Sequence, residues 1–401
     1  MIVNCDLHIH SKYSGATSQF MEFEKIAREA KKKGIQLMGS GDCLHPEWLK
    51  EAKEYQREDD VFLVGATHFV LTVEVEDKHR VHHMLIVPDF SKAEELYERF
   101  YHFSNDIDSD GRPKLILSGE EIAEIALEAD CLIGPCHAFT PWTSMYAYFD
   151  SIHDCYGSMT KNVSFLELGL SADSDYGDML SELHDITFLT NSDAHSPWLD
   201  KLAREFNRFE LGDISFEELK MGILRKKGRK CVLNVGFFPE EGKYNESACI
   251  RCYTHYTLED AIARKWRCEC GGVIKKGVKD RVRELADLDK PIHPPHRPPY
   301  LHIVPLAEVI RLAFNQSGTH TKSVREEWNK LITHFGSEIA VLIDEPLNRV
   351  EEVADERVTR AIKFFRKGEL IIEPGGGGRY GVVRLPNNPR NSAQSSVFDF
   401  D

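Results

Sequence analysis

The residues with the clearest capacity for chemistry are histidines and carboxylates, and they recur in pairs. Asp6-Leu7-His8-Ile9-His10 sets His8 and His10 two positions apart. Side chains alternate faces along a strand, so both imidazoles point the same way. Asp193-Ala194-His195 repeats the arrangement with one carboxylate. Between the two pairs come Asp42, His45, Glu74, His83 and His137, each at or beside the end of a short apolar run. Imidazole and carboxylate together suit Zn, Mn or Fe, and a carboxylate bridges two ions readily. One such pair alone is more often packed or solvated than ligating. Two pairs joined by Glu74, His83 and His137 read as one polynuclear site. Lys12, two residues after His10, either neutralises charge on a phosphate held there or is simply solvated.

A second cluster is made of thiols. Cys249-Ile-Arg-Cys252 is followed, after fifteen residues, by Cys268-Glu-Cys270-Gly-Gly, close to a zinc-ribbon spacing. Four thiolates fill a tetrahedral ion and leave no open position, so this zinc is expected to be structural. The other six of the ten cysteines, Cys5, Cys43, Cys131, Cys136, Cys155 and Cys231, lie mainly in or beside apolar runs and need only packing as explanation. Charge is uneven as well: residues 222–300 hold seventeen Lys or Arg against ten Asp or Glu, in a chain of net charge −15. Arg264, Lys265, Lys275 and Lys276 flank the cysteines, with Trp266 among them. A basic strip with an aromatic fits a phosphate backbone plus stacking, and a solvated face is the alternative.

These residues need elements to carry them. Hydrophobic residues make up 42% and charged residues 29% of the 401, an ordinary globular balance. No apolar run reaches the roughly 18–20 residues of a membrane span. No basic segment followed by an apolar one opens the chain, so no secretory leader is expected and the protein is placed in the cytoplasm. Apolar runs at 2–10, 35–39, 61–75, 80–87, 131–137, 164–170 and 187–190 read as strands. Amphipathic helices are expected at 20–33 and at 118–129, the latter opened by Ser118 and Glu121 as a capping box. Strand and helix alternate, which predicts an α/β barrel or doubly wound domain with parallel strands over 1–235. A cysteine unit at 240–290 follows. A mainly helical region spans 300–386, with helices at 306–314 and 358–365 and a terminal hairpin turning at 375–378. The tail, 387–401, is rich in Asn, Ser and Pro and reads as mobile.

The opening run Asp6-Leu7-His8-Ile9-His10-Ser11 resembles the first motif of the PHP superfamily of metal-dependent phosphoesterases. That resemblance implies a distorted (β/α)7 barrel with up to three ions. His8 and His10 would hold the first, and Glu74 would bridge to a second held by His83 and His137. Asp193 would join the first and His195 the third. The chain departs from many members by lacking a histidine in Lys12-Tyr13-Ser14-Gly15 and by carrying Asp42-Cys43 where Asp-His is usual. Asp42 or His45 is left for the third ion. With the cysteine unit, Glu167-Leu168-Gly169-Leu170-Ser171-Ala172-Asp173 and His293-Pro-Pro-His296, essentially the whole chain resembles the endonuclease Q family.

This second resemblance implies a DNA repair endonuclease acting on damaged DNA. It would hydrolyse the phosphodiester 5′ to uracil, hypoxanthine, xanthine or an abasic site by metal-activated water. Two or three Zn, Mg or Mn ions would sit in the barrel and one Zn in the cysteine knuckle. Asp193 and Lys12 are the expected catalytic residues, and the protein would associate with the nucleoid. A lesion is inspected outside the base stack, so Phe139, Trp142, Leu170 and Ser171 are expected to wall a pocket. Gln394-Ser-Ser-Val397-Phe398-Asp399-Phe400-Asp401 partly matches a sliding-clamp-binding peptide, with Asp401 in place of the second aromatic. Two other readings stay open: a small-molecule phosphatase of the histidinol-phosphate type, and a non-catalytic DNA-binding scaffold.

Overall fold

The computed structural model describes residues 1–58 and 60–386; the clamp-like tail, 387–401, lies outside them. Eleven strands build the barrel region: β1 (Ile2–Asp6), β2 (Leu37–Gly39), β3 (Gln56–Glu58), β4 (Val61–Val64), β5 (Thr67–Glu76), β6 (His82–Val87), β7 (Leu132–Pro135), β8 (Phe165–Glu167), β9 (Thr187–Leu189), β10 (Phe206–Glu210) and β11 (Lys230–Gly236). β1, β2 and β5 run parallel side by side. The wall continues through β6 and β7, and Ser164 N–H donates to Ile133 O at 2.8 Å to bring in β8. β9 pairs parallel with β8. Its C-terminal extension returns to the start, where Leu7 N–H donates to Asn191 Oδ1 at 2.9 Å and His10 N–H to Ala194 O at 3.0 Å. The result is a distorted α/β barrel.

Three sequence expectations change here. The strands are not all parallel: β6 runs antiparallel to both β5 and β7, and β10 runs antiparallel to β1 and β11. The strand expected over 2–10 ends at Asp6, because from Leu7 onward the backbone bonds to the Asn191–Ala194 segment. Asp6 itself accepts from Ser192 N–H at 3.0 Å and Ser192 Oγ–H at 2.6 Å, which fixes that segment to β1. The apolar run 61–75 is two strands, β4 and β5, joined by a tight reversal.

The helices follow their patterns. Phe23–Lys33 buries Phe23, Ile26, Ala27 and Ala30 and stops at Gly34 in the left-handed conformation. Helix Gly119–Glu128 starts with the Ser118–Glu121 capping box. Further on, β12 (Ala248–Cys249) and β13 (Ile274–Lys275) pair antiparallel around the cysteines. β14 (Tyr300–His302) then adds a parallel strand to β11, so the barrel's sheet extends into the C-terminal region. Helices Leu306–Phe314, Lys322–Phe335 and Glu356–Lys367 pack there. The chain closes in a hairpin, β15 (Ile371–Glu373) with β16 (Val382–Arg384), whose connection is longer than the four residues expected. This connection docks on the stretch before the cysteines: Gly375 N–H donates to Glu240 O at 2.8 Å and Gly381 N–H to Glu241 O at 3.0 Å. Gly377, with φ +64°, lies so close that a Cβ would stand 2.5 Å from Cys249 O, and only glycine fits. Among the described residues, no helix is long and apolar enough to cross a membrane.

One buried ion pair joins the barrel to the C-terminal helices. Lys33 Nζ donates to Glu338 Oε1 at 2.8 Å, and also to Leu199 O. Trp328 Nε1–H donates to the other Glu338 oxygen at 3.0 Å. Removing one partner leaves the other charge buried and unpaired, a cost of about 3–5 kcal/mol. Lys33→Met is therefore expected to destabilise the protein by that amount in urea unfolding, and the double variant with Glu338→Gln by clearly less. Equal losses in both would show that the pair does not couple the two regions.

Candidate metal centre and adjoining cavity

The centre is built around the buried carboxylate of Glu74, on the inward face of β5. His82 Nδ1 lies 2.7 Å from Glu74 Oε1, His137 Nε2 3.1 Å from the same oxygen, and His10 Nε2 3.4 Å from Oε2. His8 Nε2 stands 3.7 Å from both Glu74 Oε1 and Asp193 Oδ1, and His10 Nε2 3.2 Å from Asp193 Oδ1. His195 packs its ring 4.5 Å from that of His10. Among the groups whose ligand atoms lie within 4.8 Å of one another are His8, His10 and Glu74; Glu74, His82 and His137; and a third trio, His10, Asp193 and His195. His8 Nε2, His10 Nε2, His82 Nδ1 and Asp193 Oδ1 are buried yet make no well-formed hydrogen bond within the described chain. Buried polar atoms almost always find a partner, so this convergence of orphaned donors fits divalent ions.

The outer nitrogens show the same design. His8 Nδ1 bonds Glu167 Oε2 at 2.8 Å, His10 Nδ1 bonds Asp42 Oδ1 at 3.2 Å, and His82 Nε2 bonds Glu76 Oε2 at 3.2 Å. A carboxylate behind an imidazole fixes its tautomer and aims the other nitrogen inward. The local field is strong. Burial works against ionised Glu74, but His82, His10 and His137 hold its carboxyl well below the usual range. Asp193 is likewise held low against burial, by His10, His8 and His195. Burial and the neighbouring His10 charge push His195 down to about 4. Asp42, His137 and Asp193 also take left-handed backbone conformations, with φ of 49°, 30° and 48°. Such conformations are unfavourable for these residues and persist where the surroundings impose them.

Four expected site residues stand elsewhere. His83 points away from the centre: its Nδ1 bonds Tyr156 Oη at 2.7 Å and its Nε2 lies 3.5 Å from Asp77. The register explains this, since Glu76 pairs with His82 and Glu74 with Met84, which puts His82 on the face of Glu74 and His83 on the other. Asp42 lies behind His10, with Oδ2 accepting from Ser11 N–H at 2.6 Å and Ser14 Oγ–H at 2.9 Å. His45 stacks on Tyr13 at 4.3 Å, so neither it nor Asp42 joins the third trio. Lys12 is tied between Glu22 and Glu51, at 3.3 and 3.2 Å, because β1 has ended and the chain turns outward before it. The sequence reading missed His82 and Glu167 as site members, and also Arg112, whose Nη1 donates to Glu74 Oε2 at 3.2 Å. Glu167 carried a signal: it ends an apolar run inside the Glu167–Asp173 motif.

Beside the centre opens a cavity of about 200 Å³, lined by His137, Glu167 and Asp193 together with Trp142, Leu170, Ser171, Tyr244 and Tyr380. Trp142 meets Tyr244 edge-on at 4.8 Å, and Lys275 Nζ sits 4.8 Å above its ring. Phe139 does not line this cavity; it is buried against Tyr146 at 5.0 Å and lines a separate polar cleft with Lys275, Lys276 and Arg281. In the knuckle, Cys249 and Cys270 Sγ approach to 3.5 Å, as do Cys252 and Cys268, and all four lie within 4.8 Å. That is the donor set of a tetrahedral zinc. The basic strip is partly neutralised: Arg264 pairs with Glu269 at 2.9 Å and Lys276 with Glu284 at 2.6 Å, whereas exposed Lys265 forms no ion pair among the described residues.

The register makes a direct test possible. His82→Ala is expected to lower the metal bound per chain, measured by elemental analysis after dialysis. His83→Ala should leave that stoichiometry intact and lower the melting temperature by opening a space beside Tyr156. The reverse pattern would put His83 in the centre.

Residues 305–369 match the family described as the MJ0043 C-terminal domain. The chain is 47% identical over 253 residues to the uncharacterized protein MJ0043 of Methanocaldococcus jannaschii, covering 62% of this chain. That match spans only 31% of the relative's own length. The solved structure of the lesion-specific endonuclease PfuEndoQ from Pyrococcus furiosus is 51% identical, with a TM-score of 0.93 and 96% of each chain covered. A structure of endonuclease Q with a 27-mer duplex substrate, an abasic lesion at its active site, is also 51% identical, with a TM-score of 0.91 over 96% of this chain and 97% of that one. With half the residues identical across nearly the full length of both solved chains, this protein belongs to the endonuclease Q family.

Proposed function

We propose that this protein is a metal-dependent endonuclease that nicks DNA at damaged nucleotides, on the 5′ side of deaminated bases and abasic sites. The observation that carries the reading is the continuity of the ligand cluster with the cavity: His137 and Asp193 belong to both, and Glu167, which aims His8, lines the cavity as well. A nucleotide turned out of the duplex would put its base against Trp142 and Tyr244 with its phosphate over Glu74 and Asp193. The similarity to a lesion-specific endonuclease, and to a complex with an abasic duplex, supports that substrate class.

In this reading His8, His10, His82, His137 and His195, with Glu74 and Asp193, hold two or three divalent ions. When bound, the ions supply a Lewis-acid clamp on the phosphate and activate a water. Glu167, Asp42 and Glu76 keep the imidazoles aimed inward. Asp193, at the mouth of the cavity, is placed between the ligand cluster and the incoming phosphate. A base inside the stack cannot be read at its pairing edge, so the lesion must leave it, and a deaminated or missing partner lowers that cost. Uracil offers a carbonyl acceptor where cytosine has an amine donor, and in this reading the Ser171 hydroxyl discriminates by acting as a donor to that carbonyl. Lys275, Lys265 and the knuckle's remaining basic side chains would follow the backbone on either side. Cys249, Cys252, Cys268 and Cys270 would hold a structural zinc that ties the β12–β13 pair, and Lys275 on β13 packs over Trp142.

The test is strand cleavage of a duplex with one central uracil, and of one with an abasic site, in Mg²⁺, Mn²⁺ or Zn²⁺. A single metal-dependent nick 5′ to the lesion, absent in Asp193→Ala, is the expected result. Ser171→Ala should reduce the preference for uracil over cytosine by about tenfold, the worth of one hydrogen bond to a buried polar group. It should leave abasic cleavage unchanged. Intact DNA under every metal, with hydrolysis of small phosphomonoesters, would instead make this a phosphatase.

A further inference from the structure

We propose that Arg112 is a catalytic residue of this site, its guanidinium contacting the scissile phosphodiester; the inference rests on the nuclease reading above. Phosphodiester hydrolysis builds negative charge on the non-bridging oxygens, and a fixed cation aimed at them lowers the barrier. Lys12, the cation that sequence spacing offers, is held away by Glu22 and Glu51. Arg112, by contrast, reaches the centre itself. Its Nη1 donates to Glu74 Oε2 at 3.2 Å, and its side chain is 27% exposed, so the guanidinium touches the buried carboxylate at the heart of the centre while keeping part of its surface open to solvent. Of its five N–H donors, this is the one engaged among the described residues. The planar fork is suited to two phosphate oxygens at once.

The backbone holds Arg112 as firmly as it holds the ligands. Gly111 N–H donates to Tyr13 O at 3.1 Å, Arg112 N–H to Asp110 Oδ1 at 3.0 Å, and Glu76 N–H to Pro113 O at 3.0 Å. Gly111 lies against the carboxylate behind His10: a Cβ there would stand 2.3 Å from Asp42 Oδ2 and 2.6 Å from Ser14 Oγ. Asp42 therefore aims His10 with one oxygen and abuts the Arg112 loop with the other. The loop is bound to β5 at the residue two beyond Glu74. Such a platform fixes a cation without induced fit.

Arg112→Met and Arg112→Lys, in the full-length metal-loaded protein, test this against a role in merely propping Glu74. Single-turnover cleavage of the abasic and uracil duplexes would be measured beside metal content and duplex affinity. The expected result is a loss of about 100-fold or more in rate for Arg112→Met, partly restored in Arg112→Lys, at unchanged metal stoichiometry. A duplex with a neutral methylphosphonate at the scissile position provides a readout that a propping role would not move. The wild-type advantage over Arg112→Met should shrink on that substrate. An unchanged rate, a rate lost together with metal, or equal penalties on both substrates would each overturn the proposal. If the wild type nicks neither lesion, the nuclease reading falls and takes this inference with it. If the wild type nicks and Arg112→Met nicks equally, only this inference falls.

Discussion

Everything near the site depends on one arrangement: a buried carboxylate, Glu74, facing four imidazoles, three of them held from behind by a carboxylate. A lone carboxylate in that environment would be driven toward its neutral form, because burial penalises charge. The imidazoles around it reverse that preference, and Glu167, Asp42 and Glu76 behind His8, His10 and His82 fix which nitrogen faces inward. The cluster is thus built in two shells, ligand atoms inside and the carboxylates that aim them outside. Its members come from several strands and strand ends, and the barrel is the device that brings those ends to one place. Closing the wall antiparallel at β6 is part of that device. It presents His82 at the start of its strand, beside the end of β5 that carries Glu74.

Much of this could be read from the chain. Two-residue spacing announced His8 with His10 and Asp193 with His195, since strand alternation needs no tertiary knowledge. The phase of β6 could not be read, because His82 and His83 are adjacent and both sit in an apolar run. Only the pairing of Glu76 with His82 decides which one faces inward. Lys12 was placed by extending a strand that ends at Asp6, an ending caused by a hydrogen bond to Asn191, far along the chain. Arg112 gave no local sign at all. It sits in a short irregular loop whose position is set by the contact of Gly111 with Asp42, and a glycine looks the same in sequence whether it is crowded or free.

The fold class was legible for a different reason. Alternating strands and amphipathic helices, a capping box and paired cysteines are local signals, and each acts through neighbours close in the chain. The cavity is the opposite case. Trp142, Leu170, Tyr244 and Tyr380 come from four separate stretches, and nothing about any one of them indicates that the others will be near. Trp142 and Ser171 could be singled out because they follow ligand-bearing strands. Tyr244 and Tyr380 enter from the stretch before the knuckle and from the hairpin connection, which are joined by backbone bonds from Gly375 and Gly381. Function here is assembled at a junction of regions rather than within one of them.

The docking of that hairpin has a consequence for the order in which the protein becomes itself. His8, Glu74, His137 and Asp193 are all synthesised well before Tyr380, so a growing chain possesses its ligand cluster before it possesses the finished wall of the cavity. The glycine-rich connection, last of the contributing segments to leave the ribosome, closes the enclosure against Glu240 and Cys249. The ligand cluster and the last part of the cavity wall are therefore encoded far apart in the same polypeptide, and the cavity takes its final shape only when the hairpin connection docks.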